Sequence, residues 1–99
     1  MKSIIDKLNK VFENRIRLGI MSLLMVNESL TFKALKGLLK VSDGNLASHI
    51  STLDKHGYIS VEKKFVGNKP QTTYFASETG KSAFEEHLTA LEEIIKGLH

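Results

Sequence analysis

The hydrophobic spacing of this chain changes from helical to strand-like at Gly57, and this change constrains the fold more than any other sequence feature. Before Gly57, apolar residues recur every three or four positions; after it, residues 58–63 alternate as in a strand. Residues 67–70 (Gly-Asn-Lys-Pro) have turn chemistry, and residues 71–76 are rich in strand formers. We therefore predict a β-hairpin over residues 58–76, preceded by helices.

Two helical regions precede the hairpin. In residues 1–27, the apolar side chains of positions 3–12 fall on one helical face, and Asn14 is a candidate cap for the next helical segment. Whether this region forms two helices or one kinked helix remains open. Residues 31–57 predict a helix-turn-helix: Thr31 and Ser42 are the expected N-caps, and Gly57 is the expected helix end.

A long helix is predicted after the hairpin, over residues 78–98, with Ser77 or Thr79 as its cap. Its apolar residues follow spacings of four and three, which is typical of a heptad seam that packs on another helix. The N-terminal region offers a second apolar stripe. A chain of 99 residues cannot bury both stripes and a core, so we predict a homodimer. The expected dimer residues are Ile4, Ile5, Leu8, Phe12, Phe84, Leu88, Leu91, Ile95 and Leu98.

The predicted helix over residues 42–56 has an unusual outward face. Leu46, Ile50 and Leu53 occupy one narrow arc, and small polar residues cover the other side, where Glu, Lys and Arg are usual. Small donors and acceptors allow a helix to approach base edges and phosphates closely. The alternative is a polar face that the fold merely tolerates. The candidate DNA contacts are Ser42, Gly44, Asn45, Ser48, His49, Thr52 and Lys55.

We predict a specific role for two of these residues. Asn45 is the strongest candidate for reading a base, because an amide pairs with adenine through two hydrogen bonds. His49 lies on the flank of the helix, so it either contacts DNA or holds the helix against its neighbour.

Charge is distributed unevenly along the chain. Residues 1–77 contain 12 Lys and Arg against 6 Asp and Glu, whereas residues 78–99 contain 2 Lys and 5 Glu. A basic body suits a polyanionic partner, although a solvated surface with chance asymmetry is the alternative. The hairpin carries the residues expected to reach phosphates or a minor groove: Lys63, Lys64, Asn68 and Lys69.

Several stretches together resemble one family, the MarR/ArsR-like winged helix-turn-helix regulators, and especially its short single-domain branch. They are residues 14–20 (NRIRLGI), 32–35 (FKAL), 41–50 (VSDGNLASHI), 53–59 (LDKHGYI) and 67–74 (GNKPQTTY), in the family's order. The resemblance implies a single mainly α domain over residues 1–99, with a three-helix core, a β-hairpin wing and a long C-terminal dimerisation helix. It also implies a regulator of transcription that binds double-stranded DNA, with residues 42–56 as the recognition helix.

Other functions find less support. No phosphate-binding glycine loop, HExxH helix or nucleophile elbow is present, so we expect no enzyme and no cofactor. Without cysteine, and with His87 and His99 three turns apart, we expect no metal site, although a site shared between two copies with Glu86 is conceivable. No apolar run approaches the roughly 20 residues of a membrane span, and the lack of cysteine fits the cytoplasm.

Two alternatives stay open. Winged helices also serve as protein–protein interaction modules, and the fold alone does not decide between that role and DNA binding. The chain leaves little room for a separate sensor domain, so a small-molecule effector, whose identity the sequence does not indicate, would need a crevice between two copies.

Overall fold

Side-chain caps set the helix boundaries in the computed structural model, which describes residues 3–97. The helices are α1 (Arg15–Val26), α2 (Phe32–Leu39), α3 (Asp43–Lys55) and α4 (Glu78–Ile95). The four expected caps are confirmed: each accepts a hydrogen bond from a backbone N–H two or three residues ahead, and Ser77, not Thr79, caps α4. The caps are Asn14, Thr31, Ser42 and Ser77.

The N-terminal segment (residues 4–12) is not the α-helix that its apolar spacing indicated. It forms two short 3-10 turns, Ile4–Lys7 and Lys10–Phe12, separated by residues with extended backbone. Ser3 and Asn9 cap these turns with their side chains, and such local bonds compete with a continuous helix. Over residues 3–27, the open question is therefore resolved as two turns followed by one helix.

The wing is part of a three-stranded antiparallel sheet with the order β1-β3-β2. Strand β2 (Ile59–Val66) pairs with β3 (Lys69–Ala76), and the short β1 (Leu30–Thr31), which was not predicted, pairs with Thr73 and Tyr74. The turn contains only Gly67 and Asn68, and Gly67 has a φ of 65°, as a type II′ turn requires. Thus β3 begins two residues earlier than the sequence indicated.

An aromatic cluster joins the N-terminal segment to the core. The Phe12 ring stacks on Tyr58 with centroids 5.4 Å apart, and it meets the edge of Phe84 at 5.1 Å. Phe12 and Phe84 are only 1% and 3% exposed. Both are already buried within one chain, so the structure removes them from the expected dimer surface.

The start of α4 lies against the base of the wing. Ser77 N–H donates to the Tyr58 carbonyl at 3.0 Å, and the Ser77 hydroxyl donates to the Gly57 carbonyl at 2.6 Å. A Cβ added to Gly80 would overlap the same Tyr58 carbonyl oxygen. A glycine is therefore required where α4 crosses the wing base, and this crossing sets the direction of α4. Within residues 3–97, no helix has the length and apolar character of a membrane span.

Candidate nucleic-acid interface

The connection between α2 and α3 is short and held at both ends. Lys40 ends α2 in the left-handed conformation, with a φ of 53°, which turns the chain without a longer loop. The Lys36 ammonium of α2 lies 2.8 Å from the Asp43 carboxylate in the first turn of α3. Such a tight connection sets α3 at a defined angle to α2, as a helix-turn-helix does.

The exposed face of α3 carries the side chains that the sequence assigned to DNA. Leu46, Ile50 and Leu53 are buried, so the remaining side of α3 is free of the core. On that side five of the assigned residues are exposed and two are half-buried, His49 and Thr52. The exposed residues are Ser42, Gly44, Asn45, Ser48 and Lys55.

Hydrogen bonds within α3 occupy part of this polar face. The Ser42 hydroxyl accepts from Asn45 N–H at 3.2 Å, and the Thr52 hydroxyl donates to the Ser48 carbonyl at 3.3 Å. The Ser42 hydroxyl thus caps the helix, and the Thr52 hydroxyl finds its partner within the helix. The exposed side chains of Asn45 and Ser48 are the ones best placed to approach a ligand.

His49 is tied to a residue that the sequence did not assign to the interface. The Nη1 atom of Arg17, on α1, lies 3.0 Å from His49 Nδ1. The Nε of the same guanidinium donates to the Val11 carbonyl at 2.7 Å. Burial of the ring and, second, the Arg17 charge hold the pKa of His49 below its ordinary value. No periodicity signal connects residue 17 with residue 49, because the contact depends on how α1 and α3 cross.

The wing presents its basic residues on two faces. All residues from Ser60 to Pro70 are exposed. Residues directly opposite in an antiparallel pair share a face, so the register places Lys64 and Lys69 on one side of the hairpin and Lys63 on the other. Lys64 also pairs with Glu62 at 3.7 Å, and Asn68 lies in the turn.

The wing tip also exposes apolar side chains that sequence analysis did not single out. Phe65 is 74% exposed and Val66 is 55% exposed, and each is paired across the hairpin with Pro70 or Lys69. The sequence predicted a hairpin here, but it did not indicate that both faces of the hairpin are exposed at residues 65 and 66.

The candidate dimer residues divide into buried and exposed sets. Leu88, Leu91 and Ile95 of α4 are 44%, 40% and 74% exposed, while Gly80, Phe84, His87 and Ala90 form the buried face of the same helix. Ile4 and Ile5 are also exposed, and they belong to the 3-10 turn whose Lys7 lies 3.9 Å from Glu93 of α4. Leu8 is half-buried, and Leu98 lies outside the described residues. We call Ile4, Ile5, Leu88, Leu91 and Ile95 the α4 apolar surface.

His87 is buried on α4 and anchors the N-terminal segment to this helix. Its Nδ1 accepts a hydrogen bond from Asn9 N–H at 2.9 Å, and the Asn9 side chain donates to the Tyr58 hydroxyl at 3.0 Å. In the part of the chain that the structure describes, no group of three or more His, Asp or Glu side chains gathers as a metal site.

A family model described as "Winged helix DNA-binding domain" matches residues 16–95 of this chain. The matched range runs from the first turn of α1 to the end of α4, so it includes the helix-turn-helix and the whole wing. The match agrees with the winged helix-turn-helix fold and with the regulator family expected from the sequence, and both are confirmed.

The chain is also similar to individual proteins from archaea and bacteria. It is 27% identical over 89 residues to an uncharacterized protein of Methanocaldococcus jannaschii, covering 90% of this chain and 97% of that one. A structure of a transcriptional regulator homologue protein from Pyrococcus horikoshii OT3 matches with a TM-score of 0.84 and 28% identity, over 96% and 92% of the two chains. The structure of Bacillus subtilis PadR in complex with operator DNA matches with a TM-score of 0.67, over 76% of this chain and 48% of that one. The two sequences are 17% identical, so this match shows a shared fold and nothing further.

Proposed function

The chain belongs to the winged helix DNA-binding domain family, and from this premise we propose that it is a regulator of transcription that recognises a specific DNA sequence as a homodimer. The coarser part of this function, DNA binding by a regulator, follows from the family and from its similarity to a transcriptional regulator homologue. Sequence specificity, the dimer and the residue roles are the finer parts that the following observations support.

The observation that carries the proposal is the outward face of α3. Its first two turns combine a capped N-terminus with the exposed Asn45 and Ser48, and no long charged side chain blocks the approach. Gly44 adds to this access, because nothing lies within 4 Å of where its Cβ would be. The N-terminal part of a recognition helix usually contacts base edges in the major groove. We therefore assign base reading to this end of α3.

The wing supplies the second contact. Lys63, Lys64 and Lys69 are exposed cations on a hairpin that projects beyond the core, and phosphate attraction does not require a particular side-chain geometry. Phe65 and Val66 lie between them at the tip, where apolar side chains can touch sugars or base edges of a minor groove. We assign backbone contact to the lysines and Asn68.

The α4 apolar surface supports a dimer of two such units. Leu88, Leu91 and Ile95 follow spacings of three and four, so they form one stripe that a second copy of α4 can cover. The acidic side chains of α4 repel phosphates, which favours an arrangement with α4 away from DNA and α3 towards it. Two α3 helices would then read half-sites about 34 Å apart.

Selection of bound duplexes from a random library tests this function directly. We expect enrichment of a site with two related halves, whose binding weakens steeply as salt increases. A variant with both Asn45→Ala and Ser48→Ala, which leaves the buried face of α3 intact, is the matched control and should enrich no such site. The cytoplasmic location expected from the sequence is part of this proposal.

The same selection distinguishes the alternative role as a protein–protein interaction module. Such a module would retain no duplex above background at any salt concentration.

The small-molecule effector also remains a proposal, and its test is a shift in duplex affinity when compounds are added to the protein–DNA complex.

A further inference from the structure

The His49–Arg17 contact determines which nitrogen of the imidazole carries the proton. A guanidinium group has only hydrogen-bond donors, so Nδ1 of His49 must accept at the 3.0 Å distance. A ring that accepts at Nδ1 is neutral and carries its proton on Nε2. The pKa of His49 is lowered by burial and by the Arg17 charge, which agrees with a neutral ring.

The second ring nitrogen has no hydrogen-bond partner among the described residues and is not fully buried. In the described part of the chain, the only hydrogen bond of the ring is the one at Nδ1. No buried side-chain nitrogen or oxygen within residues 3–97 lacks a partner, so the unpartnered Nε2 is not buried. His49 is thus a half-buried ring with a fixed donor, Nε2–H, at the edge of the α3 face that carries Asn45 and Ser48.

Arg17 connects this donor to the N-terminal segment. Its Nε donates to the Val11 carbonyl at 2.7 Å, so one planar guanidinium bridges the N-terminal segment and α3. The same segment is fastened to α4 through Asn9 and His87. Arg17 is the charged group that acts on the ring from α1, and the α3 neighbours one turn away, Asn45 and Leu53, carry no charge.

We propose that Arg17 is a positioning residue of the DNA interface, which fixes His49 in the tautomer whose Nε2–H donates a hydrogen bond to DNA. This inference rests on the proposed function. It assigns His49 a defined role, as a donor that prefers an acceptor such as guanine N7 or O6 in the major groove. It also resolves the two roles considered for His49, because the ring uses one nitrogen for the fold and the other for the ligand.

The first test concerns the free protein and needs no DNA. Long-range ¹H–¹⁵N correlation spectra of the imidazole rings report tautomer and protonation at each pH. We expect wild-type His49 to be in the Nε2–H form near neutral pH, and Arg17→Gln to show mixed tautomers with a midpoint shifted to higher pH. The backbone N–H groups of Asn45 and Gly80 donate to the helix caps Ser42 and Ser77, so their NMR signals show whether the fold is retained.

Arg17→Lys provides a second variant if Arg17→Gln does not fold. A lysine keeps the charge, but its single ammonium lacks the planar fork that reaches both Val11 and His49. It should therefore also release the tautomer. An unchanged tautomer in a folded Arg17 variant would overturn the inference.

Two substitutions of His49 separate its nitrogens in the DNA-binding test. An asparagine amide lies near the position of Nδ1, whereas a glutamine amide reaches the position of Nε2. His49→Gln should therefore keep most of the discrimination between the selected duplex and random DNA. His49→Asn and Arg17→Gln should reduce that discrimination by roughly 5- to 150-fold, the range for one base contact.

The outcomes separate the inference from the function on which it rests. If wild-type protein does not discriminate the selected duplex from random DNA, the proposed function fails, and the inference fails with it. If wild-type protein discriminates but His49→Gln loses as much as His49→Asn, or neither loses anything, the function stands and the role of Nε2–H is wrong.

Discussion

Asn45 and Ser42 are one turn apart at the start of α3, and they contribute to different properties. The Ser42 hydroxyl accepts the Asn45 N–H and so satisfies a backbone donor that the helix leaves unpaired. The Asn45 side chain remains exposed. The Ser42 hydroxyl therefore serves the fold, and the Asn45 side-chain amide is available to a ligand.

Asn45→Ala should lower affinity for the selected duplex by about 1–3 kcal/mol and affinity for random DNA only slightly. The reason is that an amide pairs with a base edge, whereas nonspecific affinity comes from phosphates. Titrations of both duplexes at one salt concentration measure the two effects. Thr89→Ala, an exposed polar residue of α4, is the control and should change neither. Equal losses on both duplexes would show that Asn45 contacts the backbone instead.

His49 should make the stability of the protein depend on pH in the mildly acidic range. Its pKa is lowered in the folded state by burial and by Arg17, so the unfolded chain binds a proton first as the pH falls below about 6.5. The free energy of unfolding should therefore decrease from that pH downwards and be unaffected by His49 above it. Urea unfolding of wild type and His49→Gln at equal protein concentration measures this. A decrease below pH 6.5 of the same size in both proteins would contradict the prediction.

At the scale of the elements, the start of α4 is fixed by its approach to the wing. Gly80→Ala should destabilise the protein by about 1–3 kcal/mol, the range for overpacking, because the new methyl group overlaps the rigid Tyr58 carbonyl. Gly37→Ala is the matched control: nothing lies within 4 Å of its Cβ, so it should stabilise α2 by about 0.5–1 kcal/mol. Urea midpoints with equal slopes measure both, and a neutral Gly80→Ala would show that α4 can shift.

The number of wing lysines that contact DNA should determine how strongly DNA binding depends on salt. Replacing Lys64 and Lys69 together with alanine should reduce the salt slope of DNA binding by about two units per wing that contacts DNA, and Lys63→Ala by about one. Lys81→Ala on α4 is the control, because it lies outside the wing and the recognition helix. Affinity measured at several salt concentrations gives the slopes. If the slope is unchanged in both wing variants, the wing does not contact phosphates.

At the scale of the whole molecule, the long axis extends 58 Å while the other two axes are 25 and 22 Å. The α4 apolar surface, the wing tip and the exposed side of α3 consist of different residues, so each can be perturbed alone. An elongated unit also leaves more of its apolar surface uncovered than a sphere of the same volume, which favours pairing with a second copy.

If the proposed homodimer forms through the α4 apolar surface, Leu91→Glu should dissociate it by placing a charge there. Sedimentation at micromolar concentration should give twice the mass of one chain for wild type and a lower average mass for the variant. Leu38→Glu changes another exposed leucine, on α2, and should leave the dimer intact. A wild-type monomer at this concentration, or equal effects of the two substitutions, would refute the assigned dimer surface.

The features that the sequence by itself determined are those with local causes. The caps at Asn14, Thr31, Ser42 and Ser77 bond to N–H groups two or three residues away, and Gly67 meets the demand of its own turn, so neighbouring residues suffice to predict them. The buried arc of α3 likewise follows from its spacing alone, which left the polar face to be recognised as the candidate interface.

Other features were decided only by tertiary contacts. Spacing placed Phe12 and Phe84 in apolar stripes, but it could not state whether the core or a second copy covers them; the fold buries both within one chain. The attachment of the N-terminal segment to α4 depends on the hydrogen bond from Asn9 N–H to His87, 78 positions away. The pairing of Arg17 with His49 depends on the crossing of α1 and α3. A periodic pattern shows which side of an element is buried, whereas the partner on that side depends on packing between residues distant in the chain.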